Sequence, residues 1–141
     1  MKIMIDTNIA LDVLLNRTPA LQSSLAILKL AALDKITGII TTNAVTDMFY
    51  VLNKNSKDSV KSRSAVEQLL KLVKLEAVIP SDIFSAFSSD VDDFEDAVVS
   101  MVANRIKSDF IVTGNINDFT KSPVPAIKPC DFLSKYFPNT L

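Results

Sequence analysis

The sequence predicts a three-layer α/β/α domain built on a mostly parallel sheet of four to five strands. Two observations carry that prediction. Short β-type runs (Ile3-Met4-Ile5, Ile39-Ile40-Thr41, Phe110-Ile111-Val112) alternate with longer segments whose apolar residues recur at helical spacing. The runs are almost continuously apolar, as strands covered on both faces must be. With 141 residues, 48% of them hydrophobic, the chain can build one core and not two, so residues 1–141 read as a single domain.

Ile3-Met4-Ile5 is the first strand, and Asp6-Thr7-Asn8 suits a strand-to-helix turn with a capping side chain. Residues 8–16 and 20–35 follow as helices; in the second, Leu21, Leu25, Leu28 and Ala32 keep helical spacing and Pro19 suits a first turn. Gly38 breaks the chain ahead of the second strand, Ile39-Ile40-Thr41. Thr42 or Asn43 can cap a helix over 44–53, whose Val45, Phe49 and Leu52 share a face. A polar loop, 53–58, leads to a helix over 59–74 with Val66, Leu69, Leu70 and Val73 turned inward. Ala77-Val78-Ile79 reads as the third strand, closed by Pro80, with Ser81 capping a short helix. Asp92 or Asp93 opens the next helix, from about Phe94 to Ile106. Phe110-Ile111-Val112 and the turn Thr113-Gly114-Asn115 follow, then a weak fifth strand near 125–127 and a last helix over 131–136.

Composition removes several chemistries. There is no histidine, which excludes Ser-His-Asp and Cys-His nucleophiles and His-ligated zinc. Cys130 is the only cysteine, so neither an internal disulfide nor a cysteine metal cluster can form. No apolar run reaches the ~18–20 residues of a membrane span, and the start lacks a basic stretch followed by an apolar one. A cytoplasmic protein with no membrane partner is expected. A net charge of −1 argues against coating nucleic acid non-specifically, but the charge is uneven. Residues 54–74 hold six basic side chains (Lys54, Lys57, Lys61, Arg63, Lys71, Lys74) against two acidic ones, whereas 76–96 holds seven acidic and no basic ones.

Chain direction alone gathers the acids. In an open parallel sheet, ligands bind beyond the carboxyl ends of the strands. Asp6 follows the first strand, and Asp47 lies early in the helix leaving the second. Asp93 and Asp96 open the helix that returns to the fourth strand, and Asn115 and Asp118 follow that strand. Each has a plainer reading: Asp6 as a helix cap, Asp47 as a solvent-facing residue, Asp93 and Asp96 as partners of the helix dipole, Asn115 and Asp118 as turn formers. Their coincidence at one edge outweighs those separate readings. Asp12, more than a turn beyond Asp6, reads as surface. Crowded carboxylates repel one another unless a cation neutralises them, and hard oxygen donors suit Mg²⁺ or Mn²⁺. Such an ion activates water and offsets charge on a phosphodiester.

Three segments, Met4-Ile-Asp-Thr-Asn-Ile-Ala-Leu-Asp12, Asp93-Phe-Glu-Asp-Ala97 and Ile111-Val-Thr-Gly-Asn-Ile-Asn-Asp-Phe119, together resemble the PIN domain, the fold of many metal-dependent nucleases and of VapC-type toxins. The resemblance spans nearly the whole chain. It implies a Mg²⁺- or Mn²⁺-dependent endoribonuclease, the toxin of a toxin–antitoxin pair, acting on RNA and restrained by an antitoxin protein. Carried over by position, it makes Asp6, Asp47, Asp96, Asn115 and Asp118 the catalytic set, with Asp6, Asp47, Asp96 and Asp118 on the metal. Asp93 and Glu95 become additional or outer members, and Thr7, Asn8 and Thr113 orient the ligands. Two positions depart from the usual pattern: Asp47 stands where the family mostly has glutamate, and Asn115 where it often has aspartate. The long apolar series in the second helix (Leu21 to Leu33) suits either a partner face or a helix wedged between others of its own domain, and the pairing that the resemblance implies tips it toward a homodimer. Alternatives are a receiver-type phosphoacceptor using Asp82, Thr113 and Lys128-Pro129, a haloacid-dehalogenase-type phosphatase, for which Asp6-Thr7-Asn8 lacks the second carboxylate, and an inactive PIN-fold binding module.

Overall fold

Ile3, Met4 and Ile5 lie almost wholly out of solvent because β1 (Lys2–Ile5) runs through the middle of the sheet. The computed structural model describes residues 1–140. Along the chain, β1 is followed by α1 (Thr7–Leu14), α2 (Leu21–Ala32), β2 (Thr37–Thr41), α3 (Thr42–Ser56), α4 (Ser59–Leu70) and β3 (Lys74–Glu76). Then come α5 (Pro80–Phe87), α6 (Phe94–Arg105), β4 (Phe110–Val112), a 3-10 turn (Ile116–Phe119), β5 (Ala126–Ile127) and α7 (Pro129–Tyr136). The strands form one parallel sheet in the order β3-β2-β1-β4-β5.

Alternation along β1 divides the core. Ile3 and Ile5 face one side, packing with residues of α1, α2, α3, α4 and α7. Met4 faces the other, packing with Ile39, Ile111 and the α6 residues Val102 and Ala103. Both faces are therefore covered, giving three layers. On the first side α2 lies close to the sheet at Gly38, where an added Cβ would stand 2.9 Å from both Ala31 Cβ and Ile5 Cδ1. Glycine is needed there for the helix to approach.

The third strand is not where its apolar run suggests. β3 is Lys74–Glu76, paired Ile39↔Lys74, Ile40↔Leu75 and Thr41↔Glu76, while 77–79 form the loop into α5. An edge strand has a partner on one side only, so its side chains are exposed and need not be apolar; a lysine there discourages further pairing. Helix α4 stops at Leu70 rather than reaching 74, since Lys74 already belongs to β3. Ser81 does not cap α5. Ile79 occupies the cap position, Pro80 is in the first turn, and Asp82 accepts the Ile79 backbone N–H at 2.9 Å. The cap of α3 is Thr41, and its side chain makes no capping bond. Helix α2 begins at Leu21, and α7 at Pro129 rather than 131. The apolar series of α2 is mostly used within the chain. Ala26, Ile27, Leu28, Leu30 and Ala31 are buried, and Leu33, past the helix end, is exposed. Among the described residues no helix is long and apolar enough to cross a membrane.

Candidate active site

The strand order reverses at β1, because β2 and β3 extend to one side of it and β4 and β5 to the other. A crevice forms beyond the carboxyl ends of β1 and β4, where the departing chains diverge. Asp6 leaves β1 into it, and Thr113 leaves β4 beside it. Asp6 is 8% exposed and stands at the cap position of α1, yet its side chain makes no capping bond. The fully buried Thr113 hydroxyl donates to its Oδ2 at 2.8 Å instead, and itself accepts the backbone N–H of Asn115 at 3.0 Å. Asp6 is thus oriented for the cleft rather than spent on the helix.

The cleft, with a volume of about 400 Å³, is lined by Asp6, Asp47, Asp93, Glu95, Asp96 and Asp118, together with Thr7, Asn8 and Tyr50. Six carboxylates from four segments meet there, as chain direction predicts for five of them. Asp93 also caps α6, its Oδ1 accepting the Asp96 backbone N–H at 3.0 Å, so its plainer role is real as well. Asn115 is exposed and does not line the cleft. Asp12 is not a plain surface residue: Ser24 donates to its Oδ2 at 3.0 Å and Arg17 lies 3.9 Å from Oδ1, tying α1 to α2.

No cation-bearing side chain lines the cleft, and the acids show the strain of it. Burial raises the Asp6 carboxyl above the ordinary range, against the Thr113 hydrogen bond that lowers it. Asp96 is pushed up to about 7 by burial, then by the charges of Asp93, Asp6 and Asp118. Glu95 is pushed up to about 7 by its hydrogen bond with Asp47, then by burial and the surrounding carboxylates. Among the described residues no three of these groups are drawn round a single point as ligands. That agrees with mutual repulsion and does not oppose a hydrated ion, since magnesium is held by one or two carboxylates and keeps several waters. An all-oxygen, histidine-free donor set with raised proton affinities fits Mg²⁺ or Mn²⁺.

Asp82 is no phosphoacceptor. It is 2% exposed, and Arg105 clasps it through Nε at 2.9 Å and Nη2 at 3.0 Å while also bonding Glu76 and the Ala77 carbonyl. Burial disfavours its charge, but the Arg105 and Ile79 hydrogen bonds outweigh that and hold its carboxyl below the ordinary range. It follows an edge strand, remote from the reversal at β1, and the strand order is not the 2-1-3-4-5 of receiver domains. Residues that sequence reasoning did not mark are Tyr50 and Phe94. Tyr50 is placed on the cleft by its position three residues after Asp47 on α3, and helical spacing alone could have flagged it.

Fold and site together define a parallel α/β domain with an all-carboxylate cleft at its topological switch point. The chain belongs to the PIN domain family, whose model matches residues 2–117. Among solved structures it is similar to VapBC2 from Rickettsia felis bound to a DNA fragment from its promoter, at 20% identity and a TM-score of 0.73, covering 91% of this chain and 98% of that one. DNA-bound VapBC from Salmonella typhimurium is 16% identical with a TM-score of 0.71, covering 92% and 99%. VapC20 of Mycobacterium tuberculosis, a toxin that cleaves the sarcin-ricin loop, is 15% identical with a TM-score of 0.64, covering 87% and 98%. At these identities the likeness is one of fold. No curated protein matches the chain in sequence.

Proposed function

We propose that this protein is a divalent-metal-dependent endoribonuclease and the toxin of a toxin–antitoxin pair. The observation that carries the reading is the cleft of six carboxylates, lacking any basic side chain, at the switch point of a PIN fold. Asp6, Asp96 and Asp118, with Asp47 opposite on α3, would hold Mg²⁺ or Mn²⁺. When bound, the ion supplies an activated water and offsets the charge that builds on the phosphodiester. Thr113 fixes the orientation of Asp6 from below, and Asn115 supports Thr113 through its backbone N–H. Asp93 holds the start of α6, and with it Asp96, at the rim. Glu95, pushed up to about 7 beside Asp47, stands on the same wall of the cleft.

A protein antitoxin is the partner we infer, from the VapBC complexes the fold matches. An open apolar groove between α3 and α4, lined by Val45, Phe49, Val66 and Leu70 with Arg63 and Glu67 beside them, offers it a seat near the acidic rim. The second reading, a binding module without activity, is favoured by Asn115 lying outside the cleft lining. The test incubates purified protein with structured and unstructured RNAs in Mg²⁺, Mn²⁺ or EDTA. Metal-dependent cleavage that stops with chelator supports the enzyme; RNA binding with no cleavage in any metal assigns the module; equal cleavage in EDTA rejects the metal mechanism.

A further inference from the structure

Beside the acidic cleft lies a second cavity of ≈ 300 Å³, sharing Thr7, Asp47 and Glu95 with it. Its inner wall is apolar, formed by Ala44, Ile83, Val98 and Val99, and its mouth carries Asn43 and Thr46. Phe94 completes it. This ring is 45% exposed at the start of α6 and is backed by Phe87, centroid to centroid 4.8 Å. An aromatic ring held in that way is left in solvent against a run of carboxylates, where burial elsewhere would have stabilised it more.

We propose that this cavity receives the nucleobase next to the cleaved phosphodiester of a single-stranded RNA, with Phe94 as its stacking face and Asn43 and Thr46 reading its polar edge. The inference rests on the ribonuclease reading above and names the substrate form that site accepts. Asp47 and Glu95 lie on the shared wall and no basic residue lines the cavity, so an anionic occupant such as a second phosphate is repelled. A neutral, flat, aromatic group with donors and acceptors on its rim matches apolar walls, one aromatic face and a polar mouth. The shared carboxylates put that group within one nucleotide of the phosphate. A base paired in an A-form helix cannot turn into such a cavity, so the substrate segment must be unpaired: a single strand, loop or bulge.

The test measures anisotropy of a labelled six-nucleotide single-stranded RNA, with Ca²⁺ replacing Mg²⁺. It is compared with a set in which each base in turn is removed to leave an abasic ribose. Wild-type protein is expected to lose about tenfold in affinity at one position only. Phe94→Ala should lose about the same with the intact RNA and nothing further with that abasic one. Asn43→Ala should change which base is preferred there without altering the abasic affinity. Phe94 is at an exposed helix start; should its truncation unfold the protein, Thr46→Trp fills the cavity from an exposed position and must give the same pattern. Uniform abasic penalties, or a penalty that Phe94→Ala leaves intact, overturn the assignment and leave the cavity to a side chain of a protein partner. Cleavage of the same RNA in Mg²⁺ is followed in parallel. Cleavage without a position-specific penalty rejects the cavity alone, a penalty without cleavage rejects the nuclease alone, and no RNA binding rejects both.

Discussion

At the scale of single residues, the same aspartate type performs three different tasks, and the surroundings decide which. Asp6 is buried, unspent on its helix and fixed by Thr113; Asp12, more than a helical turn on, is a strut to Ser24; Asp82 is locked to Arg105. Asp6→Asn is therefore expected to lower metal-dependent RNA cleavage by at least the ~10–100-fold that loss of an orienting partner costs a metal site. Thr113→Val should fall within that range and Asp12→Asn should stay near wild type. Equal losses at Asp6 and Asp12, in initial-rate measurements, would mean the reaction occurs elsewhere. Asp82 has a stability role with a definite pH sign. Its folded carboxyl lies below the ordinary value of 3.8, so its contribution is complete above that value and disappears as pH falls through the folded one. Asp82→Asn should cost about 1.5–3 kcal/mol in urea unfolding at neutral pH, the worth of a hydrogen bond to a charged group. The gap from wild type should hold from pH 5 to 8 and narrow below 3.8. A gap that is flat into strong acid would remove the ion pair as its cause. The acids of the site were legible in the sequence because strand ends fix where a chain emerges. The Arg105 clasp was not, since it joins residues 23 apart through side-chain reach alone.

At the scale of elements, α3 ties recognition to chemistry. Asn43, Asp47, Tyr50 and Lys54 recur three and four residues apart along one stripe of an uninterrupted helix, leading from the side cavity across the cleft toward the basic segment. Tyr50 is 66% exposed on that stripe. Among the described residues, none of Lys54, Lys57, Lys61, Arg63, Lys71 and Lys74 is engaged in an ion pair. They are free to meet phosphates, although a solvated helix face explains most such runs. Replacing Lys54, Lys57 and Lys61 with glutamine should raise the dissociation constant for single-stranded RNA. It should also flatten the log–log salt slope by about 0.7 for each lysine that touches a phosphate. An unchanged slope in a salt titration would place the approach away from this segment. The strand and helix pattern was readable where elements are covered on both sides, as with β1, β2 and β4. It misled at β3, because an edge strand carries no apolar signature and the apolar run 77–79 beside it belongs to a loop.

At the scale of the whole molecule, alternation of strands and helices told the layers but not the strand order, which depends on which side of β1 each crossover passes. The order matters, since the reversal at β1 is what turns dispersed acids into one cleft. Most of the apolar series of α2 packs against the sheet, α1 and α7, as a helix held between elements of its own domain does. A pair of exposed aromatic side chains stands on α5: Phe84 and Phe87 are each 71% exposed, three residues apart on one helix face, with Ile79 at its start. This patch leads us to expect a homodimer closed by a two-fold axis through α5, in which each patch meets its own copy. Phe84 is the residue to change, because Phe87 also backs Phe94 and its loss would disturb the side cavity. In Phe84→Glu a two-fold axis brings like charges together in an otherwise apolar contact, which destabilises the pair at any concentration near its dissociation constant. Light scattering should give twice the chain mass for the wild type at high micromolar concentration and the single-chain mass for Phe84→Glu, with the same unfolding midpoint after allowance for concentration. A wild type that scatters as one chain removes the dimer, and a dimer that survives Phe84→Glu places its interface away from α5.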